Sequence, residues 1–308
     1  MPDFEIHPDD AEQRLDRFLR KLLPGAKLDF VFKLLRQHKV RVNGEAARGG
    51  RRLRAGDVVR VDVPAERLDR LLRLQRREAG TRGELSVLYE DADILAVDKP
   101  AFLPVHGGTG VGKDHLAAWL CALLGEGPAR TFRPAPAHRL DRPCSGILLI
   151  GRSAAGLRAL GRLFRSRRVR KTYLALLHGR PCEQSGSIEF PLERRAGARP
   201  KVRVAERGKP ARSDYRILRV LGRLCLAEIE LVTGRTHQIR AHFAGIGAPL
   251  LGDQHYGARA LPDDGLVPGR VYLHAARVAF RHFRTGEDLE IEAPLPRDFR
   301  AVLEDAAT

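Results

Sequence analysis

The stretch from His138 to Gly151, HRLDRPCSGILLIG, places the tightest constraint on what this chain can fold into. Its apolar run, Ile147-Leu-Leu-Ile150, is short, unbroken and closed by a glycine, which reads as a buried strand rather than a helix. The residues before it are polar and mostly cationic, with one carboxylate, Asp141, at the mouth of the core. From residue type alone Asp141 is either a structural counter-ion or a carboxylate held ionised in a pocket for chemistry, and structural pairs are the commoner case.

A chain of 308 residues exceeds one ordinary core and predicts about two domains. Its 55 Lys and Arg against 38 Asp and Glu leave a net charge of +17, a field that favours a polyanion: nucleic acid or an anionic membrane face. No apolar run is long enough to span a bilayer, and the opening MPDFEIHPDD is acidic rather than a basic targeting region. A soluble cytoplasmic protein with no membrane association, monomeric by default, is expected. Cys121, Cys144, Cys182 and Cys225 form no CxxC pair, so neither a disulfide framework nor a zinc site is expected. His237 and His242 are five apart, which does not put them on one helix face, and neither metal nor cofactor is expected.

The positive charge is concentrated. Residues 14–77 hold 19 Lys and Arg against 7 Asp and Glu. Within them Leu15, Phe18, Leu19 and Leu22 recur at helical spacing up to Pro24-Gly25, and Phe30, Val31, Leu34 and Leu35 mark a second amphipathic helix. Val40 to Gly44 reads as a strand entering an Asn-Gly turn, and Gly56-Asp57 as a turn before a strand over 58–63. A dense excess of one sign repels itself unless an anion screens it, so binding of RNA or DNA is favoured over a merely solvated surface. This stretch also resembles the RNA-binding domain named after ribosomal protein S-four, through Arg14-Leu-Asp-Arg-Phe-Leu19, Leu34-Leu-Arg36, Val40-Arg-Val-Asn-Gly44 and Leu53 to Val61. The expected organisation is an RNA-binding domain over 13–64, a helical or flexible Arg-rich linker over 65–84, and a second domain over 85–308. Arg36 and Arg41 are its candidate RNA contacts.

Gly107-Gly-Thr-Gly-Val-Gly-Lys113 fits the first seven positions of a nucleotide-triphosphate loop, ahead of a helical signal over His115 to Leu124. The next position needs a Ser or Thr hydroxyl for magnesium, and here it is Asp114, so an NTPase is disfavoured. The glycines then serve close backbone approach.

The remaining polar clusters each abut a strand or turn: Asp98 to His106, the HRLD segment, Arg170-Lys-Thr-Tyr-Leu-Ala175 and Thr233 to His242. No GxSxG motif is present. HRLDRPCSGILLIG resembles the signature of the RluA-like pseudouridine synthases. Lys99-Pro100 with Val105-His106 is similar to their first motif, and Lys171-Thr-Tyr173-Leu-Ala175 to the strand that carries their active-site tyrosine. LVTGRTHQIRAH, Leu231 to His242, is similar to a later motif, followed by Pro249-Leu-Leu-Gly-Asp253, Tyr256-Gly257, Leu273-His-Ala275 and Ala293-Pro294. The likeness spans residues 85–300 in the family's order, and with the basic N-terminal domain and the VHGGTG segment it is most similar to the C-type branch acting on large-subunit ribosomal RNA.

The resemblance implies an α+β protein: the small basic domain, then a catalytic domain built on a mixed, largely antiparallel sheet flanked by helices and loops. It implies isomerisation of uridine to pseudouridine with Asp141 as the catalytic carboxylate, working on a base flipped from its stack. Tyr173 would stack on the uracil, Arg240 would pair with Asp141 and keep it ionised, and Arg139 would fill the vacated space. His138, Arg165, Arg168, Lys171, Arg235 and His237 are further candidate RNA contacts. Arg152 to Lys171 supports this, with eight cations, no acid, and an apolar stripe of Leu157, Leu160, Leu163 and Phe164: a helix with one basic face. A non-catalytic RNA-binding or ribosome-assembly factor with a synthase-like domain is the alternative. Two positions depart from the family: Cys144 stands where Thr is usual, weakening a local hydrogen bond, and Phe102 where Gly is usual, so that a different loop path is expected.

Overall fold

The computed structural model describes residues 3–72, 85–107, 115–124, 129–195, 201–258 and 266–306. In the N-terminal unit, β1 (Asp3–Glu5), α1 (Leu15–Leu22), α2 (Leu28–Arg36), β2 (Val40–Val42), β3 (Glu45–Ala46), β4 (Val58–Val61) and α3 (Ala65–Leu72) follow in order. The strands form an antiparallel sheet ordered β1-β4-β2-β3. The helical spacing has the expected outcome: Leu15, Phe18, Leu19 and Leu22 of α1 and Val31, Leu34 and Leu35 of α2 are all buried in one core. Phe30 lies at its margin under the Arg67 guanidinium, 4.4 Å from the ring centre. Asn43 and Gly44 make the hairpin turn, with φ of 54° and 83°, the conformation that Asn-Gly adopts at least cost.

This unit is wider than residues 13–64. Strand β1 completes its sheet, and Leu68 of α3 is buried in the same core, so the first turns of the Arg-rich stretch belong to it. Residues 73–84 of that stretch lie outside the described residues.

The second unit runs through β5 (Ser86–Glu90), β6 (Ile94–Lys99), α4 (Leu116–Leu124), β7 (Ala135–Pro136), β8 (Ser145–Gly151), α5 (Ala154–Arg165), β9 (Arg170–His178) and β10 (Ser185–Ile188). It continues with a hairpin of β11 (Leu192–Arg195) and β12 (Lys201–Val204), then β13 (Ser213–Leu221), β14 (Leu224–Leu231), α6 (Gln238–Gly245), β15 (Leu273–Arg281), β16 (Asp288–Glu292) and α7 (Arg297–Asp305). Ten of these strands make one sheet ordered β10-β13-β14-β9-β15-β8-β6-β5, with β16 on β15 and β7 on β8. Its pairings are antiparallel apart from β15 with β8, so the sheet is mixed and largely antiparallel, and the fold is α+β.

The apolar run that opened the sequence analysis is the strand β8, and the sheet is covered on both sides of it. Leu148 and Ile150 enter one core cluster while Ile147 and Leu149 enter the other, as do Leu95 and Val97 against Ile94 and Ala96 on β6. Each such aliphatic side chain contributes about 1.5–3 kcal/mol when fully buried, which is why no polar residue interrupts the run. Gly146 makes the parallel pairing feasible: its φ is 112°, and a Cβ there would collide with the Ala275 carbonyl oxygen.

The acidic start of the chain joins the two units. Asp10, fully buried, accepts hydrogen bonds from the backbone N–H groups of Arg130 (2.6 Å), Thr131 (3.0 Å) and Phe132 (2.9 Å), and from the Thr131 hydroxyl. Asp9 Oδ1 accepts from the N–H of Ala154, the first residue of α5, where a negative charge complements the helix dipole. The N-terminal unit is thereby set against the base of α5, whose exposed face carries Arg158, Arg162 and Arg165. Among the described residues no helix is long and apolar enough to cross a membrane.

Candidate active site

Asp141 sits in the connection between β7 and β8, at the edge of a cleft of about 470 Å³. The loop that carries it is shaped by backbone contacts: Cys144 N–H donates to the Asp141 carbonyl oxygen (3.1 Å), and Phe102 N–H to that of Arg142 (2.7 Å). Beneath it Lys99, fully buried at the end of β6, donates through Nζ to the carbonyls of Pro100 (2.8 Å), Leu103 (3.1 Å) and Cys144 (2.6 Å). Arg270, also fully buried, donates to Pro143 O (2.7 Å), Ser145 Oγ (2.7 Å) and Asp298 (2.9 Å). Two buried cations therefore hold residues 142–145 from below. Burial lowers the pKa of Lys99 to about 8 and raises that of its neighbour Asp98 to about 6.

The segment Thr233 to His242 folds as it does because its polar side chains are consumed in placing α6. Gln238 accepts from the Thr233 hydroxyl (2.7 Å) and donates to Arg212 O (2.8 Å) and Ser213 Oγ (3.0 Å). His242 bonds Ser213 Oγ (3.1 Å) and Phe190 O (3.0 Å). With residues 238–243 all buried, α6 has no freedom to turn, and it aims Arg240 at the cleft.

Arg240 Nη1 donates to Asp141 Oδ2 at 3.1 Å. Its Nε and Nη2 grip Asp253 as a bidentate pair at 2.6 and 2.8 Å, and its guanidinium lies 5.1 Å from the Tyr256 ring centre. Burial acts against the charge of Arg240, but Asp253 and Asp141 more than offset it, so its pKa is raised. Tyr173, on β9, lines the same cleft and is buried, which pushes its pKa well above the ordinary tyrosine value.

Of the residues singled out in the sequence, His138, Arg139, Asp141, Arg165, Lys171, Tyr173, Arg235, His237 and Arg240 all line this cleft. Arg139, Arg165 and Arg235 are exposed at it. Lys171 is half-buried, and desolvation followed by the nearby Arg167 lowers its pKa to about 8. His138 faces inward more than toward a ligand: its Nε2 accepts the Leu149 N–H (3.0 Å), its ring packs on Phe164, and burial drives its pKa down to about 3. Arg168 lies in an adjacent groove, and Arg36 and Arg41 are exposed on the N-terminal unit, outside the cleft. Residues 108–114 of the glycine-rich stretch lie outside the described residues, and α4 follows them. Among the described residues no cluster of three His, Cys, Asp or Glu is placed to hold a metal ion.

Lys99, Arg270, Asp253 and Tyr256 received no role from the sequence. Lys99, Asp253 and Tyr256 lie in motifs quoted for the resemblance, but nothing local marks Arg270 as buried. The two departures resolve in different ways. Cys144 packs its side chain in the apolar core, and its backbone N–H and C=O carry the loop's bonds. Phe102 adopts φ 69°, the left-handed region that glycine enters freely, so at this position the backbone is glycine-like and carries the side chain with strain. Phe102→Gly is therefore expected to be more stable than Phe102→Ala, by about 1 kcal/mol, although both lose the ring. Urea unfolding measures the order, and the reverse order would show that the backbone is unstrained.

A cleft that pairs a carboxylate with a buried arginine, rimmed by cations and joined to a small basic unit, suits an anionic substrate. Comparison with known proteins gives the class: residues 93–245 match the model of the RNA pseudouridylate synthase family, and residues 13–59 that of the S4 domain. The chain belongs to the RNA pseudouridine synthases, which are isomerases. More particularly, it is 35% identical to the ribosomal large subunit pseudouridine synthase C of Escherichia coli (strain K12), over 97% of this chain and 94% of that protein. It is likewise 35% identical to the protein of the same name from Vibrio cholerae, over 99% and 95%. Among solved structures, human RNA pseudouridylate synthase domain containing 4 superposes with a TM-score of 0.58 at 25% identity, covering 72% of this chain and 92% of that one.

Proposed function

We propose that the protein isomerises specific uridines of large-subunit ribosomal RNA to pseudouridine, with Asp141 as the catalytic carboxylate acting on a flipped-out base. The observation that carries this reading is the placement of Asp141 at the cleft, bonded by Arg240 at 3.1 Å, with the buried Tyr173 lining the same space. The names of the relatives, and an S4 domain in front of the synthase domain, support the RNA class. The reaction breaks the bond from ribose to the ring nitrogen and forms one to carbon-5. The carbon-5 proton departs and the freed nitrogen gains one, so no redox partner is required. A uridine reaches Asp141 only by leaving its stack. Tyr173 then offers an aromatic face to the uracil, and Arg139, exposed at the rim, occupies the space vacated in the RNA. Arg165, Arg168, Lys171, Arg235 and the N-terminal Arg36 and Arg41 contact phosphates, which position the substrate without reading its sequence.

The test is release of tritium from carbon-5-labelled uridine in large-subunit ribosomal RNA by the wild-type protein, with the modified positions mapped. Release from this RNA and none from small-subunit RNA is the expected result. Tight binding with no release from either would instead indicate an assembly factor.

A further inference from the structure

His237 stands at the N-terminal cap of α6 with φ 51°, in the left-handed region, yet its side chain makes no capping hydrogen bond. Such a backbone in a non-glycine residue costs of order 1–3 kcal/mol and persists only where its surroundings demand it. The ring is what the surroundings use. Its Nδ1 lies 3.1 Å from the Tyr256 hydroxyl, and its Nε2 lies 3.7 Å from Asp141 Oδ2. The Tyr256 oxygen in turn accepts the backbone N–H of Val202, on β12, at 3.1 Å. Edge-on contacts with the rings of His255 and Tyr256, centred 6.1 and 5.8 Å away, restrain the imidazole further.

The chemistry of these neighbours places the proton. A carboxylate offers only acceptors, so the nitrogen facing Asp141 carries the hydrogen. A neutral imidazole has one N–H, which leaves Nδ1 to accept the Tyr256 O–H. Among the described residues, the charged and titratable groups around the ring are Asp141, Arg240, His255, Asp253 and Tyr256. Desolvation lowers the pKa of His237, Arg240 and His255 act in the same direction, and Asp141 and Asp253 oppose them.

We propose that His237 is a positioning residue: the chain from Val202 through Tyr256 fixes its Nε2–H tautomer and aims that hydrogen at Asp141. Arg240 and His237 approach the same oxygen, Oδ2, so among the described residues Oδ1 is left to the substrate. The 3.7 Å separation belongs to the free enzyme, and contacts of this kind tighten when substrate excludes water. The proposal rests on the reading of Asp141 as the catalytic carboxylate. Tyr256 is the useful lever because its two roles separate: Tyr256→Phe removes the hydroxyl and keeps the ring that stacks on Arg240.

The experiment combines nitrogen-15 NMR of histidine-labelled full-length protein with steady-state kinetics. In the wild type His237 is expected as the neutral Nε2–H form. Tyr256→Phe is expected to populate the Nδ1–H form and to lower kcat by about 10-fold with KM unchanged, the scale of a lost orienting contact. His237→Gln, which can place an amide N–H where Nε2 lay, is expected to retain roughly 10-fold more activity than His237→Ala. An Nδ1–H ring in the wild type, or a Tyr256→Phe protein with unchanged spectrum and kcat, overturns the proposal. The tautomer is read without turnover, so an inactive wild type with an Nε2–H ring would count against the role of Asp141 while upholding the tautomer lock.

Discussion

Asp141→Asn is expected to fold and bind RNA like the wild type while tritium release falls by ~10³-fold or more, the range lost when a catalytic carboxylate is removed. The prediction is sharp because the substitution is nearly isosteric and its surroundings survive it. Arg240 can still donate to the Asn carbonyl oxygen, which lacks the carboxylate's charge, and keeps its two bonds to Asp253, so the buried guanidinium stays paired. The loop is held by Lys99, Arg270 and backbone contacts, none of which uses the Asp141 side chain. Removing one negative charge from a cation-lined cleft does not weaken attraction for RNA. Loss of activity therefore cannot be laid to unfolding or to lost binding, provided a melting curve and a binding isotherm accompany the assay. Turnover within tenfold of wild type would remove Asp141 from the mechanism and return it to the status of a counter-ion.

The ion pair leaves room for the proposed catalytic role of Asp141 beside that of a counter-ion. Arg240 is itself anchored by Asp253, so it does not collapse onto Asp141 and neutralise it in a closed bidentate pair. One N–H reaches Asp141 Oδ2, while Nε and Nη2 are committed to Asp253. This arrangement orients the carboxylate and leaves part of it accessible.

What could be read from the residues follows the range of the forces involved. The helices α1, α2 and α5 and the strand β8 were legible because their burial repeats within a few residues. The Asn-Gly turn was legible because its backbone demand is local. The parallel contact of β8 with β15 was not, since it joins residues about 130 apart and local patterning is indifferent to partner. The acidic start was legible only as unlike a basic targeting region, yet Asp10 finds its partners at 130–132, Asp9 at 154, and β1 finds its own in β4. Arg240 could be assigned to Asp141 only through the family resemblance. Arg270 and Lys99 were illegible for one physical reason. A basic side chain normally signals surface, and these two are buried only because the fold brings carbonyls from separate loops to surround them.

That reason makes Lys99→Met the second large effect, here on stability. Methionine keeps the length and apolar stem of lysine and removes the ammonium. Three carbonyl oxygens within 3.1 Å of Nζ, from Pro100, Leu103 and Cys144, would then lose their donor at a side chain with 0% exposure. Against this, burying a charge is itself unfavourable, and the lowered pKa of Lys99 records that cost. Removing one side of a buried charged cluster nevertheless destabilises by about 3 kcal/mol, because the acceptors remain and cannot be rehydrated. Urea unfolding should register that loss. The loops 100–103 and 142–144 would separate, so the catalytic rate should fall well beyond what the residual folded fraction explains. A Lys99→Met protein of wild-type stability would mean that the carbonyls find other donors, and that Lys99 does not hold the Asp141 loop in place.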